Sequence, residues 1–188
     1  MRTAPLILSL VLLAGPAMPV AAQSGRVITE RWRDEAPQPR GADLLRKVAM
    51  DLHDRARAKV RVAPLAWDEG LARDAAAYAA VLARSGRFEH ARQDTRRPQG
   101  ENLWMGTKGA FSYAEMVQGW VDERRWFVNG PVPRISRTAN WADVGHYTQI
   151  IWSTTTRVGC ATASNAADDY LVCRYSPAGN VYGVKALP

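Results

Sequence analysis

The stretch that decides the fold lies at residues 145–161 and reads GHYTQIIWSTTTRVGCA. It contains one of only three histidines and one of only two cysteines in the 188-residue chain. His146 directly precedes an apolar run, which places it at the edge of a core, where ligand-binding and catalytic groups are found. Taken alone, the segment favours a plainer interpretation, a core element whose His146 has an ordinary hydrogen-bond partner.

The beginning of the chain is typical of an export signal. A basic start at Arg2, an apolar run over 5–13 and small residues at 20–22 predict a cleaved signal peptide, residues 1–22. The apolar run is too short to span a bilayer, so an uncleaved anchor is the weaker alternative. We therefore expect a secreted bacterial protein, periplasmic or extracellular, with no transmembrane segment after cleavage.

The charge of the chain is positive and dispersed. The sequence has 25 Lys and Arg against 18 Asp and Glu, a net charge of +7, which becomes +6 without Arg2. No basic block is interleaved with exposed aromatic residues, which argues against a nucleic-acid partner. A basic surface could favour an anionic envelope or phospholipid surface, although a solubilising role explains it more simply. We expect a monomer.

The two cysteines, Cys160 and Cys173, predict one disulfide, because an exported protein meets an oxidising compartment. Closing so short a loop is worth roughly 3 kcal/mol in the chain-entropy model. Residues 170–175 alternate as a strand does, and with a strand around 158–162 they should form a hairpin that this disulfide staples.

The chain then divides into a polar, proline-containing flexible arm over 23–42 and a single domain over 43–188, which is long enough to bury a core. A loop rich in proline and glycine is expected over 129–143, and a last extended piece over 181–186.

Three helices are predicted from their caps and apolar spacing. Asp43 is expected to cap the first, which runs to about residue 59 with His53 and Arg57 in structural roles beside its buried stripe. Asp68 caps the second, which ends at about residue 85. A capping box that begins at Ser112 starts the third, which runs to about residue 127.

Glu123 is the most informative residue of the third helix. At helical spacing it falls inside an apolar stripe, between Trp120 one turn before and Phe127 one turn after. An unpaired carboxylate would be costly to bury there, so a positive or hydrogen-bond-donating group should face it. The alternative is that this helix lies at an edge and Glu123 reaches water.

Two histidines and two glutamates lie beside apolar or aromatic sequence in four different segments: His90, Glu101, Glu123 and His146. They could pair with one another. They could also hold a divalent cation, with His90 and His146 as the metal ligands and the carboxylates orienting the rings. Their spacing is unlike that of a dense metal motif, so the pattern by itself is a weak signal.

Five short motifs, in order along the chain, resemble the CAP superfamily of cysteine-rich secretory, antigen 5 and pathogenesis-related 1 proteins, whose domain is also called SCP. They are HDRAR at 53–57 with PLAWD at 64–68, GENL at 100–103, WVDE at 120–123, GHYTQIIW at 145–152 continuing to VGCA at 158–161, and CRYSPAGNVYG at 173–183. The resemblance covers about residues 44–187.

This resemblance implies an α+β fold, a three-layer α–β–α sandwich around a small, mostly antiparallel central sheet. It implies that 146–152 begins as a short helix, although the sequence alone reads equally well as a strand. It also implies a ligand-binding cavity lined by His90, Glu101, Glu123 and His146, which in the family can bind zinc or another divalent cation.

Some family members bind sterols or other lipids, and proteolysis has been proposed for a few. This chain departs from the pattern at Asp54, where asparagine is usual, and at Ala91, where serine is common. Both departures leave the four cavity residues in place.

Three functions follow as hypotheses. The favoured one is a non-enzymatic secreted domain that binds a divalent cation, a small apolar ligand or an envelope ligand, with Trp104, Trp120, Tyr147 and Trp152 nearby. The alternative is a metal- or His/Glu-assisted hydrolase of peptides or envelope polymers, for which the sequence offers no convincing nucleophile. The third is an interaction module at the cell envelope.

Overall fold

The computed structural model describes residues 36–92, 96 and 98–188, so the predicted signal peptide and most of the predicted arm lie outside the described residues. The described chain forms helices α1 (Ala42–Lys59), α2 (Glu69–Ser85), α3 (Tyr113–Asp122) and α4 (Gly145–Ile151), and strands β1 (Ala66–Trp67), β2 (Gly100–Thr107), β3 (Arg157–Ser164) and β4 (Asp168–Ser176). Short 3₁₀ turns cover Glu123–Trp126 and Trp141–Val144. Within these ranges, every helix is too short or too polar to cross a bilayer.

The four strands form one sheet in the order β1-β3-β4-β2. The two-residue β1 runs parallel to β3, and the other two pairings are antiparallel. One sheet face packs in a core with α1, α3 and α4, while the other packs against α2. The predicted α+β class, a three-layer sandwich with a small and mostly antiparallel sheet, is confirmed.

The predicted hairpin and disulfide are also confirmed. Strands β3 and β4 pair over 157–176, and Cys160 lies directly opposite Cys173 in the register. Their sulfurs are bonded across the pair, with the two Cα atoms 4.1 Å apart. The bond therefore fixes the two central strands of the sheet to each other.

Two of the three predicted helix starts are correct. The Asp68 carboxylate accepts a hydrogen bond from the Leu71 N–H at 3.0 Å, and the capping box at Ser112 is complete. The predicted cap of α1 is wrong, because Gly41 occupies the cap position without a side-chain hydrogen bond. Asp43 lies in the first turn, where its charge is favourable beside the free N–H groups of the helix.

The buried face of α1 differs from the predicted stripe, because His53 and Arg57 lie at its centre and are almost fully buried. Arg57 can be buried because its guanidinium donates hydrogen bonds to carbonyl oxygens. Three of these acceptors lie in or just after α4, at 2.9–3.0 Å, and belong to Ile150, Trp152 and Thr155. The residue thus holds the end of α4 against α1.

Two further boundaries differ from expectation. The α-helix α3 ends at Asp122 and continues only as a 3₁₀ turn, so the predicted end near residue 127 is wrong. The extended piece expected over 181–186 forms isolated bridges to Pro131 and Val132, because its neighbour is a loop that offers no ladder of partners. The stretch at 145–151 is helical, as the family resemblance implied.

Candidate functional site

His146 and Glu123 form the first of two histidine–glutamate pairs. Glu123 begins the 3₁₀ turn that follows α3, and His146 is the second residue of α4. The His146 Nδ1 atom lies 2.6 Å from Glu123 Oε1. The other carboxylate oxygen, Oε2, accepts hydrogen bonds at 3.0 Å from the backbone N–H groups of His146 and Tyr147. Glu123 therefore satisfies N–H groups that the start of a helix leaves free.

Glu123 lies in an apolar stripe because the histidine with which it pairs packs against an aromatic side chain of the same stripe. The Trp120 indole stacks on the His146 imidazole, with ring centroids 5.7 Å apart and an interplanar angle of 16°. The side chains of His146 and Glu123 remain 31% and 18% exposed, so one side of the pair faces solvent. The interpretation that Glu123 has a hydrogen-bonding partner is confirmed.

His90 and Glu101 form the second pair. His90 Nδ1 lies 2.7 Å from Glu101 Oε1, and the Ala91 N–H donates to the same oxygen at 3.0 Å. The Glu101 side chain is only 2% exposed, whereas the His90 side chain is 64% exposed. A buried carboxylate therefore orients a ring that projects into solvent.

The charge of Glu101 is balanced from within the sheet by Arg174, a residue that the sequence reasoning missed. Arg174 lies opposite Glu101 in the β2–β4 register, and its Nη2 atom is 2.8 Å from Glu101 Oε2. Its guanidinium also lies over the Tyr78 ring, 5.2 Å from the ring centroid. The signal that could have found it is a charged residue inside the otherwise uncharged run at 170–175 of β4.

A buried hydrogen-bond chain connects α1 to the first pair. His53 Nδ1 donates to the Ala49 carbonyl at 2.7 Å, which leaves Nε2 to accept from the Tyr175 hydroxyl at 2.8 Å. The Asn102 amide donates both to the Tyr175 oxygen and to the His146 carbonyl, each at 3.1 Å. Burial lowers the pKa of His53 to about 4 and raises that of Tyr175 well above its ordinary value, so both are neutral at pH 7.

The structure thus places the four predicted residues in two separate pairs, His90 with Glu101 and His146 with Glu123. Glu101 and Asn102 are consecutive in strand β2 and point to opposite faces, one toward His90 and the other toward α4. Among residues 36–92, 96 and 98–188, no three His, Cys, Asp or Glu side chains form a group that could hold a metal ion.

Each pair has the same chemical arrangement. Within the described chain, both rings make their hydrogen bonds through Nδ1 alone. With Nδ1–H donated to a carboxylate, the neutral ring keeps a lone pair on Nε2, which can bind a cation or accept a proton. The carboxylates fix the orientation in which that lone pair is presented.

The structure is an α–β–α sandwich with two histidine–glutamate pairs beside an edge strand. This is the class of domain that the resemblance of the sequence motifs implied. The model of the CAP family, described as the Cysteine-rich secretory protein family, matches residues 50–175, and this chain belongs to that family.

Its relatives include plant proteins of the pathogenesis-related 1 type. Pathogenesis-related protein 1B of Nicotiana tabacum is 38% identical over 136 residues, which cover 71% of this chain and 76% of that protein. Pathogenesis-related protein PR-1 of Medicago truncatula is 34% identical over 137 residues, covering 68% and 70%. The chain therefore carries a CAP domain of the pathogenesis-related 1 type.

Solved structures share the fold at lower identity. The crystal structure of NaASP2 with Zn2+ matches with a TM-score of 0.63 and 21% identity, covering 80% of this chain and 89% of that one. Hookworm Platelet Inhibitor matches with a TM-score of 0.61 and 17% identity, covering 80% of each chain. At these identities the likeness establishes the fold alone. The disulfide and the secretory family together indicate an exported protein.

Proposed function

We propose that this CAP domain is an exported binding protein in which His90 and His146 together bind a divalent cation, zinc being the first candidate. The supporting observation is that each imidazole donates Nδ1–H to a glutamate and keeps Nε2 available. Histidines that bind metals are typically held by a carboxylate in this way. To bind one cation, the Nε2 atoms of the two rings would have to meet around the free edge of β2, which is an edge strand.

The donor set defines what kind of cation site this would be. Two imidazoles are fewer protein ligands than the three or four of catalytic and structural zinc sites. The remaining positions would be filled by water or by a polar group of a bound ligand. We therefore expect an open, exchangeable site from which a chelator removes the cation without unfolding the domain.

Exposed aromatic surface supports a small apolar or envelope ligand beside the cation. Trp126 and Trp141 are 42% and 44% exposed, although indoles are usually largely buried. The Trp141 ring packs against Gly145, which directly precedes His146. Trp126 ends the 3₁₀ turn that Glu123 begins. Apolar surface is thus available next to one of the two rings.

Calorimetric titration tests this proposal. Chelator-treated wild-type protein should release or absorb heat on addition of zinc, and the heat should be lost in the His90→Ala/His146→Ala double variant. Arg87→Ala, an exposed change three residues from His90, is the matched control and should bind zinc as the wild type does. Equal heats from the wild type and the double variant would overturn the cation site.

The ligand part of the proposal needs a separate measurement. Fatty acid, sterol and purified cell-envelope fragments should be titrated into zinc-loaded wild type and into a Trp126→Ala/Trp141→Ala variant. Binding of any of these that weakens in the variant supports a ligand beside His146. Binding that is equal in both proteins would place the ligand elsewhere and refute this position.

A further inference from the structure

Strand β3 has an edge with no strand partner among the described residues, outside the site described above. Its neighbour on that side is β1, which pairs only with Arg157 and Val158. From Gly159 to Ser164, β3 pairs with β4 on one side, and the described chain provides no strand on the other. Edge strands with free backbone groups are templates for another strand unless the fold covers them.

The backbone groups on this edge are identified by the alternation of the strand. The Val158 carbonyl accepts a hydrogen bond from the Asp68 N–H at 2.9 Å, so its backbone polar groups face the β1 side. Residues two and four positions later face the same way, which places the backbone groups of Cys160 and Thr162 on the open edge. Within the described residues, these outward groups have no backbone or side-chain hydrogen-bond partner.

A groove of about 490 Å³ runs along this edge, between the start of α1 and one side of α2. Leu45 of α1 and Ala72 and Ala76 of α2 contribute small or apolar walls, and Trp67 and Tyr113 add aromatic ones. None of the four histidine and glutamate residues of the candidate site lines this groove. Its size lies within the range of ligand-binding pockets.

Among the described residues, one cation at the groove lacks a counter-charge. Arg40 forms an ion pair with Asp169, and the Glu69 carboxylate is engaged by Arg46 and by the Trp67 indole N–H. Arg73, an exposed residue of α2 that lines the groove, forms no ion pair within the described part of the chain. An acidic side chain on the occupant would complement it.

We propose that this groove binds an extended peptide segment of a partner protein, which adds to the edge of β3 as a strand in line with β1 and places an acidic side chain near Arg73. Free N–H and C=O groups that alternate along an edge are satisfied by another extended backbone, as in strand addition. A lipid tail would leave these groups without partners, at a cost in free energy.

Capped synthetic peptides provide the direct test. The probe is the heptapeptide Thr-Val-Glu-Val-Thr-Val-Thr, titrated into the full mature protein and followed by amide NMR. Two further peptides carry N-methyl groups on alternate residues, one on the odd positions and one on the even positions. Because only one set of amides faces β3, the two methylated peptides should differ in affinity by about tenfold or more.

Hydrogen exchange supplies a readout that does not depend on any variant. Without peptide, the amide of the half-buried Thr162 should exchange quickly, and saturating peptide should slow it by about tenfold or more. Peptide binding that leaves the Thr162 amide unchanged would place the peptide elsewhere and overturn the proposal.

Two variants then locate the contact. Arg73→Glu should weaken the peptide about tenfold through like-charge repulsion, whereas Arg134→Glu, the same change on an exposed loop, should have no effect. Thr162→Pro removes one outward N–H while sparing the side of the strand that pairs with β4, and it should also weaken binding.

Three other results would refute the proposal. The first is no peptide binding at millimolar concentration. The second is slow exchange of the Thr162 amide before any peptide is added, which would mean that the chain covers its own edge. The third is displacement of the peptide by palmitate together with equal binding of the two methylated peptides, which would identify the groove as a lipid site.

Discussion

His53 is the residue whose protonation most directly couples the fold to pH. It is fully buried on α1, and both of its ring nitrogens are engaged, by the Ala49 carbonyl and the Tyr175 hydroxyl. Burial disfavours the charged imidazolium, so the pKa falls from 6.5 to about 4. A proton on Nε2 would also remove the acceptor that the Tyr175 hydroxyl uses.

This lowered pKa predicts a loss of stability in mild acid. The unfolded chain takes up a proton at His53 near pH 6.5, whereas the folded chain does so only near pH 4. The contribution of neutral His53 to the free energy of unfolding is therefore fully present above pH 6.5. By pH 4.5 the loss of this contribution should lower the free energy of unfolding by roughly 2–3 kcal/mol. Urea unfolding at several pH values between 7 and 4.5 measures how steeply the free energy of unfolding falls with pH. The fall should be steeper in the wild type than in His53→Gln.

The comparison needs a second histidine variant. His90→Gln changes an exposed ring and should keep the acid-induced loss that His53→Gln lacks. Aspartates with lowered pKa values, such as Asp169, lose their contribution only below their ordinary pKa of 3.8, outside this window. Equal losses in the wild type and in His53→Gln would show that His53 does not carry the effect.

His53 and Arg57 also show where inference from the sequence stops. Both were expected in structural roles, but beside the buried stripe of α1 and not at its centre. Helical spacing predicts that the apolar residues on one face are buried. It cannot predict that the Arg57 guanidinium is buried too, because the carbonyl groups that accept its hydrogen bonds lie 93–98 positions away in the sequence. Such partners are set by the tertiary fold, so the burial of polar groups cannot be read from local spacing.

At the scale of elements, the contact of α2 with β3 depends on Gly159. A Cβ atom at this position would overlap the Ala72 backbone nitrogen and the Asp68 carbonyl oxygen, at the start of α2. Backbone atoms cannot move aside as a flexible side chain can. The absence of a side chain at Gly159 therefore lets the helix lie directly on the strand.

We predict that Gly159→Ala destabilises the domain by at least about 3 kcal/mol, because α2 must shift away from the sheet. The matched control is Gly119→Ala in α3, where a Cβ atom meets nothing within 4 Å. That change should stabilise the protein by about 0.5–1 kcal/mol through helix propensity. Chemical denaturation of both variants measures the difference, and a Gly159→Ala protein as stable as the wild type would contradict the close approach.

The elements that the sequence predicted well are those fixed by local chemistry. The Asp68 cap and the Ser112 capping box need only three neighbouring residues, and both are present as expected. The start of α1 was misjudged because Gly41 carries no side chain that could signal a cap. The end of α3 was misjudged because the apolar spacing continues to Phe127, whereas the α-helix ends at Asp122 and a 3₁₀ turn follows over Glu123–Trp126.

At the scale of the whole molecule, the sandwich could be predicted from the sequence, whereas the two histidine–glutamate pairs could be predicted only in part. The layer order came from motif resemblance, and the hairpin came from alternation and cysteine placement. Glu123 was singled out because a carboxylate in an apolar stripe requires a partner. The other three site residues were chosen because they lie beside apolar or aromatic sequence, and the motif resemblance implied that all four line one cavity. Which glutamate serves which histidine could not be predicted, because the pairing depends on the two faces of β2, where Asn102 and Glu101 point in opposite directions.

The disulfide joins the two central strands of the sheet, and one helical layer packs on each face of those strands. Both sulfurs are bonded in one cross-strand link, and the described residues include no free cysteine. The loop that it closes spans 13 positions in sequence. Reducing the link enlarges the unfolded ensemble and keeps both cysteine side chains, which belong to the core between the sheet and one helical layer.

We therefore predict that Cys160→Ala/Cys173→Ala folds to the same structure but is less stable by about 2–4 kcal/mol. Wild-type protein refolded from urea with a reductant should show the same loss, which separates the effect of the bond from that of the side chains. The zinc titration of the folded variant should match that of the wild type, because neither histidine pair includes a cysteine. A reduced wild type that unfolds at the same urea concentration as the oxidised protein would show that packing of the two layers alone determines the stability of the sheet.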